Sequence, residues 1–277
     1  MSAPNKPKLL GIVNITEDSF SDGGRYLNPQ AAIDHALALD NSGADIIDLG
    51  PSSSNPDAKY ISPELEIKRL APVVAALQRE SLELSIDSFQ PKTQRWAMDQ
   101  DLSYLNDIEG FANPEIYPYL QDSRCKLFLM HSIQRRGIAT RTNSDAGSIV
   151  DLISRFFEER ISVLETAGIP RKRIILDPGM GFFLGSNETA SVMVMQNIAV
   201  LKRRFGLPLL ISVSRKSFLR KLTGRPVTEM GAASLAAELF AAMSGADFIR
   251  THDTGALRDA LLVMKSLQGT VLETNND

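Results

Sequence analysis

Short apolar runs rich in Ile, Val and Leu recur along the chain, each followed by a polar loop and then a longer stretch with helical periodicity. The runs fall at 9–13, 45–49, 82–86, 102–105, 126–130, 173–176, 208–213 and at 248–249 with its neighbours. Continuous apolar runs without strict alternation fit strands buried on both faces, as in a parallel sheet flanked by helices. The intervening helical stretches are 29–42, 63–79, 91–101, 114–121, 149–167, 189–205, 231–243 and 255–267. Several begin beside a proline, which suits a first helical turn, and several stop at a glycine, namely Gly43, Gly168 and Gly206. Regular strand–helix alternation without a linker predicts an α/β fold, a single (β/α)8 TIM barrel over 1–277. The 277 residues and 43% hydrophobic content suffice for one large core. Length alone also admits two domains, and a doubly wound open sheet is the structural alternative, but no GxGxxG turn follows the first run. The polar segments 51–62 and 133–148 are read as loops on one face of the barrel.

Charge narrows the choice of partner. Thirty Lys and Arg against thirty-three Asp and Glu give a net charge of −3, without the positive excess that binding along a nucleic-acid backbone requires. No apolar run approaches the roughly 20 residues that span a bilayer. A single cysteine, Cys125, excludes an intramolecular disulfide, and the opening MSAPNKPK has no apolar region behind its lysines. A soluble, cytoplasmic protein acting on small molecules is expected.

In such barrels the active site gathers at the C-terminal ends of the strands. The residues closing the runs are Asn14, Asp48, Asp87, Asn106 with Asp107, His131, Asp177, the turn Ser214-Arg215-Lys216-Ser217, and Arg250 with His252. Asp87, Asn106 and Asp177 match a flat heterocycle with adjacent N–H donors, because an ionised carboxylate accepts two parallel hydrogen bonds. Asn14, Arg250 and His252 suit a phosphate or pyrophosphate, and strand eight closes against strand one, so the three should be neighbours. Ser217, at the start of a helix, is placed to meet a carboxylate on a second substrate. Plainer roles exist for some of these. Asp48 and Asp107 can be read as helix caps, His131 as a satisfied histidine at the barrel top, and Cys125 as a small buried apolar residue. No His and Cys cluster has zinc spacing.

The strings GIVNITEDSFSDGG (11–24), SIDSFQP (85–91), YLNDI (104–108), LDPGMGF (176–182), SVSRKSF (212–218) and FIRTHD (248–253) resemble the signatures of dihydropteroate synthase. They occur in the right order over nearly the whole chain, at successive strand ends. The resemblance implies a folate-pathway transferase that joins 6-hydroxymethyl-7,8-dihydropterin pyrophosphate to p-aminobenzoate and releases pyrophosphate, commonly as a homodimer. Carried over by position, it makes Asp87, Asn106, Asp177 and Lys216 pterin contacts, and Asn14, Arg250 and His252 the pyrophosphate site. Asp87, Lys216, Arg250 and His252 would form the catalytic set. Mg2+ would be held by Asn14 and Asp22, and p-aminobenzoate would meet Ser54, Phe182, Phe183 and Ser217.

Three departures accompany the likeness. Ser53-Ser54-Asn55-Pro56 stands where the family usually has Ser-Thr-Arg-Pro, Gly181-Phe182-Phe183-Leu184-Gly185 replaces the usual GFGK with a longer loop, and Glu17 replaces a proline. These features are similar to those of the sulfonamide-resistant Sul-type members. Both altered loops are expected beside p-aminobenzoate, so they bear on drug affinity more than on reaction type. A pterin-binding methyltransferase barrel is the rival enzyme, and a noncatalytic pterin-binding barrel the rival of another class. Neither uses the pyrophosphate residues together with the Ser214–Ser217 turn.

Overall fold

The structure, a computed structural model, describes residues 6–16, 28–53, 56–134, 137–139 and 146–269. Eight parallel strands carry the fold: β1 (Lys8–Asn14), β2 (Ile46–Gly50), β3 (Leu84–Asp87), β4 (Tyr104–Asp107), β5 (Lys126–Met130), β6 (Ile174–Asp177), β7 (Leu210–Ile211) and β8 (Phe248–Thr251). Their order is β6-β5-β4-β3-β2-β1-β8-β7, and a single parallel bridge from Leu176 to Leu209 closes the ring. This is the expected (β/α)8 barrel. The helices around it are α1 (Pro29–Asn41), α2 (Pro63–Arg79), α3 (Pro91–Asp99), α4 (Tyr117–Asp122), α5 (Ile149–Thr166), α6 (Glu188–Gln196), α7 (Ile198–Phe205), α8 (Ser217–Thr223), α9 (Gly231–Met243) and α10 (Thr254–Gly269). No helix among the described residues is long and apolar enough to cross a membrane.

Local chemistry explains the boundaries. Pro29, Pro63 and Pro91 each open a helix, and the Asn28 and Ser62 side chains cap the first two by accepting from Gln30 N and Leu65 N. The stretch read as one helix over 189–205 is two, because Asn197 Nδ2 donates to Met193 O at 2.8 Å and diverts the backbone at the junction. Strand seven is far shorter than the run 208–213: Pro208 at its start has no N–H for the ladder, and Leu209 joins the neighbouring strand only through a single bridge.

Two apolar layers result. Leu10, Ile46, Tyr104, Phe128, Ile175, Leu210 and Phe248 fill the barrel floor, with Tyr104 stacked on Phe128 at 5.3 Å and Phe248 edge-on to Phe128 at 5.5 Å. The residues between them, such as Leu9, Ile47, Leu105 and Ile249, point outward into the helices. Two positions beyond Ile46, Tyr104 and Ile175, the inward places pass to Asp48, Asn106 and Asp177, so the interior turns from apolar floor to polar rim within one strand pleat.

Candidate active site

A cavity of about 350 Å³ opens at the C-terminal rim, lined by Asn14, Asp87, Phe182, Phe183, Lys216, Ser217, Arg250 and His252 among others. Beneath it a small recess reaches Asn106 and Asp177. Ten of the twelve predicted site residues therefore meet in one place. Asp22 and Ser54 lie outside the described residues.

The recess is built by the strands. Asp87 stands opposite Asn106 in the β3–β4 ladder, and Asp177 stands opposite Met130 in β5–β6. Asn106 is buried and its Oδ1 has no hydrogen-bond partner. An unpaired buried acceptor is costly, so this oxygen fits a donor brought by a ligand. Asp177 accepts from Gly179 N at 2.8 Å, while burial pushes its carboxyl up to about 6 against that bond and the nearby cations Lys216 and Arg250. Lys216 stands at the N-cap position of α8 without a side-chain capping bond and reaches over the Phe183 ring at 5.5 Å. Burial, reinforced by Arg250, lowers its ammonium to about 8.

Arg250 is held differently from the expectation that it faces only an anion. Its Nε donates to Asp48 at 2.6 Å and its Nη2 to Asp87 at 2.9 Å, so the guanidinium lies between two carboxylates under the ring-binding half. Asp48 is thus not a helix cap but a fully buried partner inside the barrel. Two acids share one cation. Burial, with Asp48 adding repulsion, raises Asp87 to about 7 although Arg250 opposes the shift.

Asn14 and His252 take the other side. A Cβ at Gly50 would lie 3.4 Å from Asn14 Oδ1, so the glycine keeps that oxygen open to the cavity. His252 Nδ1 lies 3.0 Å from Ser214 Oγ, and its backbone N–H donates to the same oxygen at 3.3 Å. Burial, then the charges of Arg215, Arg250 and Lys216, hold its imidazole well below the usual histidine range, so the ring is neutral near pH 7. Arg215 itself adopts φ +56°, uncommon for a side chain with Cβ, and its N–H is anchored on Ser234 Oγ at 3.0 Å. That turn aims Lys216 and Ser217 at the cavity from one side and Ser214 at His252 from the other.

The remaining rim residues are structural. Asp107 accepts from Gln94, Glu109 N and Phe111 N, and His131 Nδ1 is satisfied by Pro178 O at 3.1 Å while its ring meets Phe156 edge-on. Phe183 is buried against Ile108, Met130 and Ala139, whereas Phe182 is half-buried. Sequence reasoning missed Arg220, which also lines the cavity, one turn along α8 from Ser217. It also missed Glu66, whose buried carboxylate accepts from Ser52 at 2.9 Å and Ser88 at 2.6 Å and so ties together the loops after β2 and β3.

Residues 10–252 match the family model described as pterin binding enzyme. The chain is 55% identical to a dihydropteroate synthase type-2 of Escherichia coli, covering 95% of this chain and 96% of that one. Among solved structures, the dihydropteroate synthase of Xanthomonas albilineans with 4-aminobenzoic acid is 36% identical at a TM-score of 0.87, covering 96% of this chain and 94% of that one. The same enzyme in complex with 7,8-dihydropteroate aligns at 35% identity and a TM-score of 0.82, covering 96% and 95%. With a barrel of this topology and a rim that pairs ring-matching acceptors with an anion-matching side, the chain belongs to the dihydropteroate synthases.

Proposed function

We propose that this enzyme, which condenses 6-hydroxymethyl-7,8-dihydropterin pyrophosphate with p-aminobenzoate, divides the work between the two sides of its cavity. Asp177, Asn106 and Asp87 accept the N–H groups of the pterin edge, and Lys216 donates to the ring. The unpaired Oδ1 of Asn106 carries this reading, since a pterin N–H supplies the donor that it lacks. Ring donors arriving at Asp87 release Nη2 of Arg250 toward the leaving group, and His252 offers a ring N–H to the same anion. Mg2+, held by Asn14, by Asp22 and by pyrophosphate oxygens, would offset the charge of the leaving group, consistent with the few protein ligands this ion takes. Among the described residues no cluster of three or more acidic, His or Cys side chains could hold a metal alone.

As the C–O bond to pyrophosphate breaks, positive charge grows on the pterin methylene and negative charge on the departing oxygen. Asp87 and Asp177 face the first, Arg250 and His252 the second, which is electrostatic preorganisation and not attack by a protein nucleophile. The amine of p-aminobenzoate then bonds to the methylene and loses a proton. Its carboxylate meets Ser217, which Gly181 leaves uncovered: a Cβ there would stand 3.2 Å from Ser217 Oγ.

The loop Gly181–Leu184 supports low sulfonamide sensitivity. Phe183 is packed under it and braces the half-buried Phe182 at the cavity wall, where a bulky tetrahedral sulfonyl meets an obstacle that a flat carboxylate avoids. A homodimer is supported by exposed apolar side chains on neighbouring helices, Phe240 and Met243 on α9 and Leu262, Val263 and Leu267 on α10. A cytoplasmic site of action fits the single free thiol. The test is dihydropteroate formation from the two substrates with and without Mg2+ and a sulfonamide, together with sedimentation of the enzyme. Turnover that needs Mg2+, resists the drug and comes from a dimer is expected. Drug inhibition equal to that of a sensitive relative would remove the loop's role.

A further inference from the structure

Outside the cavity lining, α9 buries a carboxyl that none of these roles uses. Glu238 is 2% exposed, and its Oε1 has no hydrogen-bond partner. A buried acid in that condition is costly unless it keeps its proton or serves another group. Burial raises Glu238 to about 7, and Asp253 adds to that, while the hydroxyls of Thr251 and Ser214 and the charge of Arg215 pull the other way. Ser214 is the same residue whose Oγ holds His252 through both Nδ1 and the backbone N–H. The turn carrying Ser214 is also fastened to α9 one turn before Glu238, by the bond from Arg215 N to Ser234 Oγ.

We propose that Glu238 is a positioning residue that acts through Ser214 to set the tautomer and charge of His252. A hydroxyl has one proton and two lone pairs, and His252 N–H occupies one lone pair. With Glu238 neutral, its proton faces the second lone pair, the Ser214 proton goes to His252 Nδ1, and Nε2 keeps an N–H for the leaving group. With Glu238 ionised, Ser214 donates to the carboxylate, Nδ1 must carry the proton, and Nε2 becomes an acceptor. When negative charge appears at the anion side, Glu238 passes its proton to Ser214 Oγ as Ser214 passes its own to Nδ1. One proton has moved, leaving a carboxylate at Glu238 and an imidazolium at His252. That carboxylate offsets Arg215, Arg250, Lys216 and His35, the cationic or titrating groups that otherwise oppose a charge on His252. The inference rests on assigning His252 to the leaving group.

Three histidines make the test tractable. Ring 15N shifts of the full chain and of Glu238→Gln are followed from about pH 5 to about pH 9, without and with inorganic pyrophosphate. In the parent, His252 is expected to change from the Nε2–H to the Nδ1–H tautomer near pH 7, and pyrophosphate should make it an imidazolium at that pH. In Glu238→Gln the tautomer change disappears, and the imidazolium forms only at a pH about one unit lower, a tenfold loss of proton affinity. Turnover should fall about tenfold with the KM for p-aminobenzoate unchanged. Identical His252 titrations in both proteins would overturn the proposal. Should Glu238→Gln fail to fold, Ser214→Ala severs the relay with Glu238 in place and must abolish the same tautomer change. Parent His252 shifts untouched by pyrophosphate would sink its placement at the leaving group, whereas the tautomer change in the free protein judges the relay by itself.

Discussion

Asp177 shows how much one side chain carries. Asp177→Asn keeps the shape but loses the second acceptor and the charge, so pterin-pyrophosphate affinity should weaken by about 2 kcal/mol or more, read by calorimetry on the folded variant. The parent adds a pH signature. Ring donors prefer the ionised carboxylate, whose folded pKa is about 6, so affinity should fall as pH drops through that value, and the variant should lose this step and keep only the one from Asp87 near 7. Two residues on, Gly179 has φ +71°, and a Cβ there would clash with the His131 carbonyl oxygen. Gly179→Ala should cost on the order of 3 kcal/mol in urea unfolding, because the backbone carbonyl of His131 cannot yield and the left-handed φ strains a residue with a Cβ. Asp87, Asn106 and Asp177 were legible as single letters since each ends an apolar run. Asp48 was picked out with them but its role was not legible, because its inward direction depends on strand register: it follows Ile46 of the barrel floor by two. Glu238 sits inside an ordinary helical pattern, and only tertiary packing reveals that it is buried without a partner.

Elements were easier to read than their edges. All eight strands and their helices follow from apolar runs, opening prolines and closing glycines, yet β3, β4 and β6 lie one or two residues later than the runs suggest. The ladder is fixed by neighbouring strands, and a polar residue such as Asp87 or Asp177 pairs as readily as an apolar one once it is in register. The break between α6 and α7 needed the Asn197 side chain to be seen bonding backward. On α8, Ser217 and Arg220 lie three residues apart on one helix face, and both line the cavity, where a cation would suit the carboxylate proposed to meet Ser217. Arg220→Gln should raise the KM for p-aminobenzoate about tenfold with little change in kcat, measured by steady-state kinetics. Equal KM values would return Arg220 to the solvent.

At the scale of the molecule, buried acids set the response to pH. Burial raises Asp107 and Glu238 to about 7, against about 4 for unfolded carboxyls. A folded pKa above the unfolded one means that this stability is complete below about pH 4 and is lost as pH rises through 7. The ligand-free enzyme should therefore lose on the order of 2 kcal/mol between about pH 5 and about pH 8 in urea unfolding, and a flat profile would contradict the burial of these groups. The closing bridge from Leu176 to Leu209 has a different consequence. Other neighbouring strands share ladders of two to five residue pairs, whereas β6 and β7 share one, and the chain passes just before it through the exposed, left-handed Gly206. Cutting after Gly206 would yield two pieces divided by the sign of their chemistry, with Asp87, Asn106 and Asp177 on the first and Lys216, Arg250 and His252 on the second. Neither piece could turn over substrate alone, so product formed on mixing them would count reassembled barrels, making this enzyme a two-part reporter of whatever brings its fragments together.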